Sequence, residues 1–443
     1  MSSPTTPLPG REIGGTWYAR NWRWCVLATL FYATFLNYLD RQTLSVAMEP
    51  ISREFDLDNR QRGELLAAFI FVYAFCHLFV GLVLDRIRSF RWFFPAMVLG
   101  WSAVTMAMAW SNSHQSLLWL RYLLGVFESV NFPLCYLIIA RIFPPAQWAL
   151  ACGIFKSGAV AATLVAPKLV IYLSSVADWR VSFIFIGALG LTWVVPWLLI
   201  FRHPEKRSQF WPKPAVEGAV SRSGAEVREI LGSRNFWGVL ITGLAIVPGL
   251  YFTSQWLPSY FTQVWKLDYS QTLGNRLVLV YLMQDFGLWV GGGLSWWLSR
   301  RGLPVFRARK VVICGAFVLT MSMMFVPQLR SFEHAVVVLC VYVFGLGCWI
   351  ANMGAFKQSV HRTRIGTVTA WVGFAETGFA AFIVARIGGF VQGHGGFDSV
   401  FLLLASFLVV GVCSVLFVLR DPFPSSDSRA EPVLEAASPN QRP

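Results

Sequence analysis

Six side chains in two short stretches of the sequence could do chemistry that their apolar surroundings do not otherwise permit. Asn37, Tyr38, Asp40 and Arg41 fall within one long apolar block, and Arg121 and Glu128 within another. A formal charge near the centre of a bilayer costs at least about 2.5 to 3.5 kcal/mol on insertion scales, so it normally has a partner or a task. Arg121 and Glu128 are seven residues apart. On a helix that is almost two turns, so both project from one face, about 10 Å apart along the axis. Gly125 lies between them and leaves space rather than bulk. A guanidinium favours bidentate contact with a carboxylate, so Arg41 and Arg121 suit an anionic ligand. The carboxyl of Glu128 has a proton affinity that depends on whether a neighbouring arginine is free or claimed by that ligand. That dependence is the physical basis of proton coupling. The same four charges could instead be structural salt bridges between two helices, although Tyr38 and Asn37 beside them suit a polar cavity.

The elements that must position these groups are membrane helices. Of the 443 residues, 56% are hydrophobic and 14% charged, with a mean hydropathy of +0.54. A soluble surface of this size needs about a quarter charged residues. Crossing a hydrocarbon layer of about 30 Å takes about 20 mostly apolar residues. The sequence predicts twelve such helices, the first over Trp24 to Val46 and the last over Val400 to Leu419. Glu128 is expected near the midplane, with Asp40, Arg41 and Arg121 toward the outer side.

The predicted organisation is a cytoplasmic N-terminal tail (residues 1–21), a six-helix bundle (22–201), a cytoplasmic linker (202–234), a second six-helix bundle (235–420) and a disordered cytoplasmic tail (421–443). The first twenty residues are polar and lack a cleavage pattern, which argues against a cleaved signal peptide. Most of the 37 Lys and Arg fall in loops on the N-terminal side. By the positive-inside rule both termini are then cytoplasmic, in a multi-pass protein of an inner (plasma) membrane. The net charge of +14 follows from this bias. Basic residues in short loops meet anionic headgroups of the lipid bilayer rather than nucleic acid. The eight Cys include no CxxC and read as buried thiols, so neither metal nor cofactor is expected. No HExxH, no Gly-rich phosphate loop and no clustered His points to an enzyme. A non-transporting sensor or a membrane enzyme remains the remote alternative.

The two halves echo each other. Gly81, Asp85, Arg86, Arg88 and Arg91 follow the second helix; Gly292, Ser295, Arg300, Arg301 and Gly302 follow the eighth. Six plus six helices with paired basic loops is the layout of the major facilitator superfamily, whose halves are parallel repeats. In this layout Asp85 and Arg86 are expected to gate; in the second copy Trp296 stands where an acid often sits. The string NYLDRQTLSVA from Asn37, with RYLLGVFESVNFP from Arg121, resembles the anion:cation symporter family within that superfamily. GIFKSGAVAATLVAP from Gly153 and the pair Trp179–Arg180 fit as well. YFTSQWLPSYF from Tyr251 and DFGLWVGGGLSWWLSRRGLPVFRARK from Asp285 look like bacterial hexuronate and aldonate transporters. The resemblance implies an all-α membrane protein of twelve transmembrane helices in two six-helix bundles, and proton symport of a small organic carboxylate by a monomer. It also implies that Asp40 and Glu128 carry protons, that Arg41 and Arg121 meet substrate, and that Tyr38 and Tyr73 line the pocket. Asn37, Gln255 and Asn352 are expected to add hydrogen bonds.

Departures bear on the substrate. Lys156 stands where the family usually has Asn, and Glu376 and Thr377 where it has small residues and an Asn. Leu346 and Gly347 replace a polar pair, and Gln147–Trp148 an expected Glu-Arg. These changes weaken a sugar-acid assignment. A lipid or lysolipid carrier, or a carrier of a hydrophobic or aromatic acid, is the alternative within the superfamily. Lys156 reads as an extra anion contact or as the partner of a buried acid such as Glu376. Asp285 is given a pocket or coupling role by the resemblance. Lys168, Lys357 and Arg386 read as snorkelling side chains near helix ends, and His77 as structural.

Overall fold

The structure, a computed structural model, describes residues 17–87, 89–202, 223–266, 271–361, 363–393 and 396–421, and within them every regular element is helical. The first half contains α1 (Trp17–Phe55), α2 (Asn59–Arg86), α3 (Phe90–Met108), α4 (His114–Ile142), α5 (Trp148–Val176) and α6 (Trp179–Ile200). The second contains α7 (Arg234–Tyr251), α8 (Gln271–Arg300), α9 (Val305–Thr320), α10 (Phe332–Ser359), α11 (Ile365–Gly393) and α12 (Phe397–Cys413). A π-helical turn, Phe252–Trp256, and the helix Leu257–Val264 carry α7 onward. A short helix, Ser223–Gly232, precedes α7. The rest of the expected linker (203–222), residues 1–16 of the expected N-terminal tail and residues 422–443 of the C-terminal tail lie outside the described residues. Among the described residues, nine helices are long and apolar enough to cross a membrane. The fold is that of an all-α membrane protein. α1 extends well past its apolar block at both ends, because a helix satisfies its own backbone in water as in lipid.

Local sequence fixes the breaks. Asp58 caps α2, accepting from Gln61 N at 2.7 Å, while its own N–H donates to Gln61 Oε1 at 3.1 Å. Ser113 caps α4 in the same way with Ser116. α4 is interrupted between Glu128 and Asn131. Pro133 lacks an N–H, so the carbonyl of Ser129 loses its helical donor. Glu128 therefore ends an arm of α4 instead of lying inside a continuous helix.

Each half buries its own apolar core, one built from residues between Val26 and Phe201, joined by Ala355 and Ile365 of the other half, and the other from residues between Ile230 and Leu419. The halves approach most closely where α2 meets α11 and α5 meets α8. Two glycines at matching places in the repeats make this possible. A Cβ on Gly81 would lie 2.5 Å from Thr367 Cα, and one on Gly292 would lie 2.5 Å from Leu150 Cα. Backbone packs on backbone at both seams.

Among the described residues, the hydrogen bonds joining the halves all lie in the half of the molecule nearer the chain termini. Asp85 Oδ1 accepts from Gly366 N at 2.8 Å, and its Oδ2 from Thr367 N at 2.9 Å and Thr367 Oγ1 at 2.6 Å. Gln358 donates to Tyr136 O at 2.8 Å, Trp371 to Leu78 O at 3.0 Å and Trp289 to Ser157 Oγ at 3.2 Å. Arg309 donates to Pro145 O in the turn before α5. The terminal end of the molecule is thus sealed, and a cavity lies beyond the seal.

Candidate functional site

The cavity has a volume of about 490 Å³ and lies between the halves, walled mainly by α1, α2, α4 and α5 on one side and α7, α10 and α11 on the other. Arg41 of α1 faces it. Arg41 Nε donates to Glu128 Oε2 at 2.7 Å, across to α4; the Glu128 side chain is fully buried and the Arg41 side chain 17% exposed. Three rings hold the guanidinium in place: its carbon lies 4.9, 4.7 and 4.4 Å from the centroids of Tyr38, Phe69 and Tyr73. Such faces attract a cation while leaving its N–H groups free to bond. Arg41 therefore separates the cavity from a buried carboxylate. Tyr38 and Tyr73 line the cavity.

Behind this layer lie Asn37, Asp40 and Arg121, all buried and none of them lining the cavity. Arg121 Nε donates to Leu65 O at 3.3 Å, and its guanidinium lies 5.0 Å from the centroid of Phe69. Arg121, expected to meet substrate, is screened from the cavity in this state. Among the described residues it has no carboxylate within ion-pair distance. Asp40 Oδ1, Glu128 Oε1, Arg121 Nη1 and Arg41 Nη2 are buried without hydrogen-bond partners. Among these two carboxylates and two guanidiniums, one ion pair is made within the described residues, that of Arg41 with Glu128. Asp285 and Asn352 are likewise buried and do not line the cavity. Asn352 Nδ2 donates to Gly291 O at 3.1 Å and Cys348 O at 2.9 Å, whereas Asp285 Oδ1 has no partner. The side chain of Gln255 lies outside the described residues.

The second half supplies a cluster whose pairing differs from the sequence expectation. Glu376 of α11 pairs with Lys357, not with Lys156: Lys357 Nζ donates to Glu376 Oε2 at 2.6 Å. Lys357 does not snorkel. It is 5% exposed, its long stem carrying the ammonium from the C-terminal end of α10 toward the cavity. No periodicity could have shown this, because the two residues belong to different helices at different distances from the turn between them. Lys156 lines the cavity with its ammonium 5.5 Å from the centroid of Tyr136. Phe69, Phe132, Tyr136 and Tyr251 also line it, and sequence reasoning did not single them out. Their aromatic type was the available signal, lost among 37 Phe and 12 Tyr. His77 lines the cavity too, with Nδ1 2.7 Å from Tyr73 O. Asp85 sits at the seal as described. Its carboxylate occupies the position of a helix N-cap for α11, taking N–H groups that the first turn leaves without partners. Arg86, beside it, is exposed.

A family model described as Major Facilitator Superfamily matches residues 30–384. Among curated proteins, the chain is 26% identical over 422 residues to a probable L-galactonate transporter of Escherichia coli (strain K12), covering 89% of this chain and 88% of that one. It is 24% identical over 410 residues to the hexuronate transporter of the same strain, covering 90% and 94%. The D-galactonate transporter of Escherichia coli O6:H1 is 24% identical over 419 residues, covering 90% and 96%. Among solved structures, the transporter FucP in the outward conformation superposes with a TM-score of 0.67 at 14% identity, covering 89% of this chain and 99% of that one. A bacterial homologue of the iron transporter ferroportin, in an outward-facing state, gives 0.67 at 13%, covering 88% and 98%. The resemblance to hexuronate and aldonate transporters read from the motifs is the one these relatives share.

Proposed function

Starting from the fact that the chain belongs to the Major Facilitator Superfamily, a family of membrane transporters and not of enzymes, we propose that it is a proton-coupled symporter importing a small organic carboxylate by alternating access. Both termini face the cytoplasm of a bacterial cell, and residues 22–201 and 235–420 form two six-helix bundles joined by the linker 202–234. The sealed terminal end then makes this an outward-open state. One observation carries the reading: Arg41 stands between a cavity and the buried carboxylate of Glu128, bonded to it at 2.7 Å. A proton arriving from outside neutralises Glu128 and releases Arg41 to an incoming anion. Asp40, in the field of Glu128, Arg41 and Arg121, is the second proton carrier of the set. With anion and proton aboard, the bundles rock about the midplane site. The Asp85 seal opens, and both are released inside.

The relatives named as galactonate and hexuronate transporters support a sugar acid as cargo. A second reading, a hydrophobic or aromatic acid, is favoured by the rings of Tyr38, Phe69, Tyr73, Phe132, Tyr136 and Tyr251 around the cavity. The decisive experiment uses Glu128→Gln, which imitates the protonated acid at nearly unchanged volume. In proteoliposomes this variant should lose pH-driven accumulation of the substrate yet keep substrate-for-substrate exchange. Accumulation that stays fully pH-driven removes Glu128 from the mechanism. Loss of both activities together with thermal stability marks a structural acid, whose removal leaves Arg41 buried and unpaired.

A further inference from the structure

Two ammonium groups from opposite halves lie beside one tyrosine ring at the cavity, and one of them is paired with a carboxylate. Lys357 of α10 is bonded to Glu376 Oε2 at 2.6 Å, and its Nζ lies 6.0 Å from the centroid of Tyr136. Lys156 of α5 lies 5.5 Å from the centroid of the same ring and lines the same cavity. Among the described residues Lys156 has no carboxylate within ion-pair distance and no hydrogen-bond acceptor. The other oxygen of Glu376, Oε1, packs against Gly243 of α7, where any side chain would collide with it. The cluster therefore holds two cations and one anion. Lys156 is half-buried at the cavity wall, and an ammonium partly withdrawn from water without a counter-charge is relieved by a carboxylate brought in from outside.

We infer that Lys156, Lys357 and Glu376 form a carboxylate subsite, in which the acid group of the cargo becomes the second anion between two lysines. The inference rests on the reading of the chain as an organic-anion transporter and adds where the anion docks. It also adds a contact from the second half to the anion that Arg41 meets. Arg41 and Glu128 both belong to the first half, so on their own they hold proton and anion to one bundle only. An anion held by Lys156 of the first half and Lys357 of the second touches both bundles at once. Its arrival is therefore felt by their relative position, which is what coupling of cargo to rocking requires. Arg121, screened behind Phe69, has no such reach.

The test is a thermal-shift titration of purified protein at neutral pH with D-galactonate, D-glucuronate and benzoate, each beside an uncharged analogue (galactitol, glucose, benzamide). At least one acid should raise Tm while its analogue does not. Lys156→Met should weaken that acid's Kd by about tenfold or more, the worth of a hydrogen bond to a charged group. The double variant Lys357→Met with Glu376→Gln removes the pair as a neutral unit, so it avoids stranding a buried charge, and it should weaken Kd to a similar degree. Glu376→Gln alone leaves both lysines without their internal acid and should tighten it. Wild-type affinity in Lys156→Met and in the double variant would make the triad an architectural pair; the inference fails and the transport reading stands. No response to any of the acids in the wild-type protein defeats the transport reading and this inference with it.

Discussion

Asp85→Asn tests whether the seal is held by charge or by packing alone. Asp85 accepts three hydrogen bonds from Gly366 and Thr367 across the halves, one on Oδ1 and two on Oδ2. An asparagine keeps the shape but turns one oxygen into an NH₂ group, so at least one of the three donors is left facing a donor. A hydrogen bond to a charged group is worth about 1.5 to 3 kcal/mol, and a negative charge at a helix N-terminus adds about 0.3 to 1 kcal/mol. Asp85 is only partly buried, so the expected loss is toward the lower end, about 2 kcal/mol, and it falls only on the sealed state. The ratio of sealed to unsealed molecules should then drop roughly 30-fold. Spin labels at Ser89 and Arg301, exposed positions beside the seal in opposite halves, report this as a distance distribution in a background with the eight cysteines replaced. Asp85→Asn should add or enlarge a long-distance population. Thr367→Val, which removes the hydroxyl donor alone, should shift the ratio only about fivefold, near 1 kcal/mol. An Asp85→Asn distribution identical to that of the parent refutes the reasoning, because the seal would then be owed to the glycine-mediated packing of Gly81 on α11.

Two further outcomes are expected. Arg121→Lys should lower Tm while leaving the Kd of any transported acid within about threefold, since Arg121 contacts Leu65 O and Phe69 and not the cavity; a large loss of affinity at unchanged Tm would return Arg121 to the list of ligands. At the far end of α1, Arg180 binds both oxygens of Glu54, at 2.8 and 2.5 Å, and holds its carboxyl below the ordinary value of 4.5. The depressed folded value means that this contribution is present above the ordinary value and is lost as pH falls through the folded one. The Tm difference between wild type and Glu54→Gln should therefore be small and largest near neutrality, worth under about 1 kcal/mol for so exposed a pair, and should vanish in acid; a difference that grows on acidification contradicts it.

Features that depend on composition and on order along the chain were legible without coordinates. The long apolar blocks require helices in a membrane because lipid offers the backbone no partners. The recurrence of Gly81 with Asp85 and of Gly292 with Ser295 revealed a repeat, and both glycines prove to lie at seams between the halves. A charge in an apolar block is costly wherever the block folds, so Asp40, Arg41, Arg121, Glu128, Lys156 and Glu376 stood out without coordinates. Which of those charges meet, and which of them meet the cavity, is settled by how the helices pack. Arg41 and Glu128 lie 87 residues apart on separate helices, and the 2.7 Å bond between them depends on the packing of α1 against α4. Arg121 and Glu128 share a face of one helix, as their spacing required, yet Phe69 of α2 stands in front of Arg121 and nothing in the spacing could say so. Lys357 read as a side chain reaching for the membrane edge, because its depth along α10 was legible and its direction was not. Depth follows from counting residues along one helix. Direction and partnership depend on the neighbouring helices, whose rotation is set by side chains far away in sequence, and those fix both the cavity and the lysines that face it.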